Sequence, residues 1–299
     1  MKIVVFGAGA LGSLVGGLLT RKHEVTLIAR EAQVSAIEES GLAVSGAVEA
    51  VFVPKAAIDL RGIERVDLII VTVKAYDTAL ALDQIAPLVG PETMVLSLQN
   101  GLNNAALLSA RYPQNAVIGV TSVGATRIGP GRVYYAGVGD TLFGSGGAPK
   151  EMVQRVTEAF NQVGMDSEVA EDIQAEIWLK GIVNASINPL TAIVRCKNGR
   201  LLQDLELKQI ARMACQEGFE VAKAEGIGLR VDDPFDTVLS VLKRTADNRS
   251  SMFQDVERKK RTEIDEISGA IVLRGEAKGL MCPVNRTLWH LTRSLTQLR

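Results

Sequence analysis

Aromatic residues make up only 4% of this 299-residue chain, and histidine occurs twice, at His23 and His290. Two imidazoles so far apart give a histidine-built metal centre or a Ser-His-Asp triad almost nothing to draw on, and no metal is expected. The three cysteines, Cys196, Cys215 and Cys282, are odd in number and far apart, with no C-x-x-C pair. That excludes a disulfide framework and fits reduced thiols. Net charge is nearly absent too, 33 Lys and Arg against 34 Asp and Glu leaving −1, so there is no electrostatic footprint for nucleic acid. The short basic run ERKKR, Glu257 to Arg261, reads as a solvated helix face or helix end. No apolar run is expected to reach membrane-spanning length, and a first strand starting at residue 2 leaves no room for a secretory leader. The expectation is a cytoplasmic protein with no membrane partner.

What the chain does have is a 47% apolar composition, enough for a large core and two domains. It also has a glycine-rich run, VFGAGALGSL, directly after the apolar stretch KIVVF. Gly7, Gly9 and Gly12 fit G-x-G-x-x-G: the first for a tight turn, the second for close approach of backbone to a pyrophosphate, the third for packing helix on strand. The context supports the motif, since Lys2 to Phe6 reads as a buried strand, Leu11 to Leu19 as a helix and Glu24 to Arg30 as a second strand. The whole turn, Gly7, Ala8, Gly9, Ala10, Leu11 and Gly12, is therefore expected to hold a dinucleotide. An NAD site usually carries an acid at the end of the second strand, whereas an arginine accommodates a 2′-phosphate. Arg30 stands there and favours NADP(H), while Glu31 keeps NAD open.

The strand–helix alternation continues as in a doubly wound sheet. DLIIVTVK, Asp67 to Lys74, suits a buried parallel strand; helix Thr78 to Leu88, strand TMVLSLQN (Thr93 to Asn100), helix Asn103 to Arg111 and strand Val117 to Ala125 follow. Residues 126–147, glycine-rich with the alternating RVYYAGV, read as antiparallel edge strands and hairpins. A helix over 150–163 and a short strand near Ser167 to Val169 close this part. Beyond Glu171 strand signals vanish, and helices are predicted over about 172–194, 202–225, 234–247, 252–260 and 263–278. Two domains follow, 1–170 binding the cofactor and 171–299 all helical. A substrate would lie in the cleft between them, facing the carboxyl ends of the strands.

The apolar segment AEIWLKGIVNASINPLTAIV carries Lys180, Asn184 and Asn188 at four-residue intervals, which share a helix face with a drift of about 40° per step. A buried, unpaired charge is very costly. Lys180 must therefore be desolvated beside partners, line a wet cleft, or reach outward to water with the asparagines satisfying backbone. Pro189 is expected to kink or break this helix. Further on, Ser251 and Glu263 would lie about 18 Å apart on one straight helix, so the chain must bend between them. Thr262 with Asp265 three residues later offers a capping box to start a new helix, with Glu263 in its first turn.

Together these strings resemble the ketopantoate reductase (2-dehydropantoate 2-reductase) family, within the larger 6-phosphogluconate-dehydrogenase-like group. The resemblance spans the chain and rests on GAGALGSL, VKAYD (73–77), QNG (99–101), WLKGIVNASINPLTAI (178–193) and SSMFQDVERKKRTEIDEISG. It implies a Rossmann-type sheet followed by a helical domain, and NADPH-dependent reduction of ketopantoate to pantoate in pantothenate and coenzyme A biosynthesis. By the same resemblance, Lys180 is the general acid and Glu263 the second catalytic residue. Asn184 and Asn188 take substrate-hydroxyl and orienting positions, Ser251 contacts substrate, and Asn100 bridges nicotinamide and substrate. Lys74 and Arg30 are cofactor contacts. The implied partner is a small-molecule 2-keto acid, and a homodimer is the assembly considered. Gln99, where some members differ, leaves the choice of 2-keto acid open; a redox-inactive NADP(H)-binding protein is the alternative of another class.

Overall fold

β-branched and aliphatic runs build the first unit. In the computed structural model, which describes residues 1–297, β1 (Lys2–Phe6), β2 (Glu24–Ile28), β6 (Leu68–Val71), β7 (Met94–Ser97) and β8 (Ala116–Thr121) lie parallel in an eight-stranded sheet. Its order is β12-β11-β8-β7-β6-β1-β2-β5, where β5 is Lys55–Ala57, β11 Thr141–Ser145 and β12 Ser167–Val169. β6 and β7 are buried along their whole length, the mark of parallel strands covered on both faces. Helices α1 (Ala10–Leu19), α2 (Glu31–Ser40), α3 (Thr78–Ile85), α4 (Asn104–Arg111) and α5 (Lys150–Asn161) complete a doubly wound α/β layer. Phe160 of α5 meets Phe143 of β11 edge-on at 4.8 Å, an aromatic pair worth about 0.5–1.5 kcal/mol beyond its buried area.

Register positions what matters. Phe6 pairs with Ile28 on one side and Val71 on the other, and Val71 pairs with Ser97. The loops after β1, β2, β6 and β7 therefore leave the same edge of the sheet. The strand order reverses direction at β1/β6, the place where doubly wound sheets open a ligand crevice.

Several expectations need correction here. The stretch between β2 and β6, where no element is predicted from the sequence, holds α2, β3 (Leu42–Gly46), β4 (Ala50–Phe52) and β5. The strand expected over Val117 to Ala125 is two strands in different sheets. β8 ends at Thr121, and β9 (Gly124–Gly129) turns back through Gly131 onto β10 (Arg132–Gly137). That hairpin joins β3 and β4 in a separate four-stranded sheet, order β4-β3-β10-β9. The alternation of β10 is visible in its sequence, but which strands it pairs with is not.

The second unit comprises Asn100–Asn103 and Gln174–Arg299, the first Met1–Gln99 and Asn104–Ile173. Its axis is α6 (Ile173–Val194), 22 residues long. This helix is long and apolar enough to cross a membrane by length and composition, contrary to the expectation that no such run exists. Its apolarity serves a protein core instead, for Ile182, Ala185, Ile187, Leu190 and Ala192 are all buried. α8 (Leu205–Ala224) approaches it closely because Ala211, Ala214, Cys215 and Gly218 are small; a Cβ on Gly218 would stand 3.0 Å from Ile182 Cγ1. Pro189 does not break α6, which continues to Val194. In the turns around it Ser186 Oγ donates to the Ile182 carbonyl at 2.8 Å and Thr191 Oγ1 lies 3.1 Å from that of Ile187, the usual way a hydroxyl is satisfied within an apolar helix.

α7 (Arg200–Gln203), α9 (Pro234–Arg244), α10 (Ser251–Glu257), α11 (Ala270–Ala277) and α12 (Pro283–Gln297) complete the unit. The helix predicted over 202–225 is divided at Asp204, whose carboxylate accepts the Leu207 N–H as an N-cap. α12 was not anticipated, although Pro283 at its start is a helix-opening signal. The capping box at Thr262 does not form. The turn begins at Asp265 as a π-helix, Asp265–Gly269, without a side-chain cap, and runs directly into α11.

The buried Thr191 hydroxyl lies 2.7 Å from that of Ser250, which in turn caps α10 by accepting the Phe253 N–H. Thr191→Val keeps the shape and removes that link. Urea unfolding should show a loss of about 1–3 kcal/mol with an unchanged m-value; unaltered stability would mean the link contributes nothing.

Candidate active site

In the first unit, each glycine of the motif answers a separate steric demand. Gly7 has φ +107°, and a Cβ there would stand 2.6 Å from the Val73 backbone nitrogen. Gly12 faces β6: a Cβ would come within 2.4 Å of Thr72 Oγ1, whose hydroxyl donates to the Gly7 carbonyl at 2.9 Å. Gly9 is exposed, and the nearest atom to its missing Cβ is 3.9 Å away. α1 opens behind Gly9 with no side-chain cap and no acid in its first turn. Ala8 is buried under the turn and donates its N–H to the Ile28 carbonyl, leaving Ala10 and Leu11 to begin the helix. An uncapped helix N-terminus behind an open glycine is suited to a phosphate, so the turn fits a dinucleotide.

Arg30 sits exposed two residues beyond β2, at the N-cap of α2 with extended backbone, and Glu31 follows as the first residue of that helix. Lys74 caps the 3-10 turn Ala75–Asp77 after β6 and is half-buried. Gln99 has a definite structural task. Its Nε2 donates to the Val73 carbonyl at 2.9 Å and to Thr78 Oγ1 at 2.7 Å, while its Oε1 accepts from Ser97. It braces the segment that carries Lys74.

In the second unit α6 presents Lys180, Asn184 and Asn188 in succession, about 6 Å apart along the axis. Lys180 and Asn184 are half-buried and Asn188 is buried. The side chains of Asn184 and Asn188 make no hydrogen bond to any described residue. Neither amide is among the fully buried polar atoms that lack a partner, so both keep some access to solvent and are available to a ligand. Burial pushes the Lys180 ammonium down to about 8, against the opposing pull of the Glu263 carboxylate.

Glu263 is itself buried, 6% exposed. The chain does bend between it and Ser251: α10 ends at Glu257, and Lys259 turns the backbone at φ +53°. Residues 257–261 are exposed around that turn, so the basic run is a solvated helix end. Ser251, exposed, is the first residue of α10 and is brought to the Asn188 end of α6 by the neighbouring Ser250–Thr191 link; Thr191 Oγ1 also lies 3.0 Å from the Asn188 carbonyl.

Asn100 belongs to the second unit although Gln99 belongs to the first. Its segment is anchored by Leu102, whose N–H donates to the Glu266 carbonyl at 3.1 Å and whose side chain occupies the space a Cβ on Gly181 would take, 2.5 Å away. Leu102 thus bonds three residues past Glu263 and packs one residue past Lys180. Asn100, Lys180 and Glu263 are gathered in this way, and Asn188 with Ser251 lie farther along α6.

Sequence reasoning missed Glu266. Its carboxyl is raised, first by burial and then by Asp265 and Glu263 nearby, and Oε2 has no hydrogen-bond partner. Its spacing of three from Glu263, on one helical face, was the available signal.

Two family descriptions cover this arrangement: "Ketopantoate reductase PanE/ApbA" matches residues 3–147 and "Ketopantoate reductase PanE/ApbA C terminal" matches 172–296. The chain belongs to the ketopantoate reductase family. One relative in the family, a 2-dehydropantoate 2-reductase of Archaeoglobus fulgidus, is 41% identical over 98% of this chain and 97% of its own. A crystal structure of a PanE/ApbA family ketopantoate reductase from Ralstonia eutropha superposes with TM-score 0.92 at 34% identity, over 99% of each chain. A ternary structure of D-mandelate dehydrogenase with NADH and anilino(oxo)acetate superposes with TM-score 0.93 at 28% identity, again over 99% of each. The family shares a Rossmann-type sheet followed by helices, as described above.

The Lys180 environment makes a direct forecast. Its amine should react with an acylating reagent with an apparent pKa near 8. Glu263→Gln should lower that value further, because the carboxylate is the group that holds it up. Mapping of modified peptides across pH checks both; titration near the ordinary lysine value would contradict the desolvation.

Proposed function

We propose that the chain is an NADPH-dependent 2-dehydropantoate 2-reductase, reducing the ketone of ketopantoate to pantoate and supplying pantothenate and coenzyme A synthesis. In this reading residues 1–170 hold the cofactor and 171–299 the substrate and catalytic groups. The observation that carries it is the α6 row, a desolvated lysine beside a buried glutamate followed by two unpartnered asparagines, in a chain of this family.

The nicotinamide supplies the hydride, and the protein supplies orientation and charge. Lys180 is protonated at neutral pH and donates its proton to the ketone oxygen as negative charge develops there. The same burial that weakens its hold on the proton favours the neutral amine left behind. Glu263 accepts a hydrogen bond from the substrate hydroxyl, Asn184 and Asn188 bind and orient hydroxyl and carboxylate, and Ser251 adds a contact at that end. Asn100 bridges substrate and nicotinamide. Gly7 to Gly12, Lys74 and Arg30 hold the cofactor, Arg30 at its 2′-phosphate.

A second reading, reduction of another 2-keto acid, is favoured by the likeness to D-mandelate dehydrogenase. Following NADPH oxidation against a panel of 2-keto acids separates the two: ketopantoate should exceed pyruvate and 2-ketobutyrate in kcat/KM, and parity would favour the second.

Lys180→Ala should lower kcat by about 10² to 10⁴ while leaving NADPH affinity within a few-fold. In the unsubstituted protein, kcat/KM for reduction should be level below pH 8 and fall above it, since the general acid must carry its proton and loses it near 8. Turnover that survives in a folded Lys180→Ala protein would defeat the mechanism.

Arg30→Ala should reduce kcat/KM with NADPH roughly 10- to 150-fold and with NADH little. Only the former loses a charge-assisted contact of about 1.5–3 kcal/mol. Equal losses would argue against a 2′-phosphate contact.

A further inference from the structure

Glu263 lies two residues ahead of the π-helical turn Asp265–Gly269, and its carbonyl accepts the Glu266 N–H of that turn at 3.2 Å. The placement of Glu263 therefore follows the placement of the turn, which no side chain caps. Trp289 of α12 touches both ends of that turn. Its Nε1–H donates to Asp265 Oδ1 at 2.7 Å, and its ring fills the space beside Gly269, where a Cβ would stand 2.8 Å from Cε2.

The ring is itself confined. His290 stacks on it at 5.0 Å with an interplanar angle of 16°, and the Arg293 guanidinium lies 5.8 Å from its centroid. Arg293 and Arg261 also approach the Asp265 carboxylate, at 3.5 and 3.3 Å. An acid in the first turn of a helix ordinarily complements the helix dipole; this one is directed to an indole on another helix. π-helical turns are rare and concentrate at functional sites. This turn also supplies the Glu266 carbonyl that anchors Leu102 and the Asn100 segment.

We infer that Trp289 and Asp265 form a positioning pair, holding the π-helical turn so that Glu263 and the Asn100 segment face Lys180. The inference rests on the catalytic role proposed for Glu263. The indole atoms nearest the position of a Gly269 Cβ are Cε2, Nε1 and Cζ2, so the tryptophan contributes both its N–H and the fused ring that a phenylalanine lacks.

Trp289→Phe removes that donor together with part of the ring facing Gly269. In the full-length protein it should lower kcat for ketopantoate about tenfold, with a smaller change in KM and unaltered NADPH affinity. The decisive measurement is a double-mutant cycle with Glu263→Gln: if Trp289 acts chiefly through Glu263, Trp289→Phe should cause a much smaller loss in the Glu263→Gln background than in the unsubstituted protein, the remainder passing through the Asn100 segment. An equal loss in both backgrounds would mark a general structural cost and overturn the inference, as would full turnover in Trp289→Phe beside an impaired Glu263→Gln. If Glu263→Gln alone keeps full turnover, the role given to Glu263 is wrong and the positioning pair falls with it. Should Trp289→Phe fold poorly, Asp265→Ala removes the acceptor instead, and the same cycle decides.

Discussion

A core helix must be apolar, and an ammonium on it must lose much of its hydration; α6 satisfies both demands at once. Ile182, Ala185, Ile187, Leu190 and Ala192 bury its length against neighbours such as α8. The same enclosure strips water from Lys180 and brings its pKa to about 8. The nearby Glu263 carboxylate keeps the shift from going further, so the lysine is still charged at neutral pH. A proton donor of this strength is a consequence of burial with one counter-charge, and both depend on the packing of the second unit.

That packing draws on distant stretches of chain. Leu102 links the Asn100 segment to the π-helical turn through the Glu266 carbonyl and rests on Gly181. The Thr191–Ser250 link brings the start of α10 to the far end of the α6 row. These are short polar or steric contacts between elements separated by tens of residues in sequence, and each locates a group that bears on the proposed chemistry. In the first unit the equivalent work is done by register: pairing of Phe6 with both Ile28 and Val71 brings the glycine turn, Arg30 and Lys74 to one sheet edge.

Local signals were most reliable where one physical demand acts on one short segment. The glycine motif is such a case, because Gly7 and Gly12 are each required by a clash with β6 or the loop after it. The row of Lys180, Asn184 and Asn188 is another, since helical periodicity alone places them on one face. Errors arose where a local preference was outweighed. Pro189 lies within a continuous helix whose flanking residues, Ile187, Leu190 and Ala192, are buried in the core. At the apparent box of Thr262 and Asp265, the Asp265 carboxylate is instead engaged by the Trp289 indole and by Arg261 and Arg293.

From the sequence by itself came the α/β unit followed by a helical one, the glycine-rich turn after β1, the identity of the residues in the proposed site, and the resemblance to a family that the whole-chain comparisons bear out. These are properties of composition, periodicity and ordered motifs, all readable within a window of neighbouring residues. Only the tertiary structure decided that β9 and β10 leave the main sheet for a small one with β3 and β4, that Asn100 belongs with the helices, that Glu266 sits beside Glu263, and that the Trp289 indole of α12 meets Asp265 in the turn that carries Glu266. Each of these depends on which distant surfaces meet. That choice is set by the summed burial and hydrogen bonding of the whole fold, and no segment records it alone.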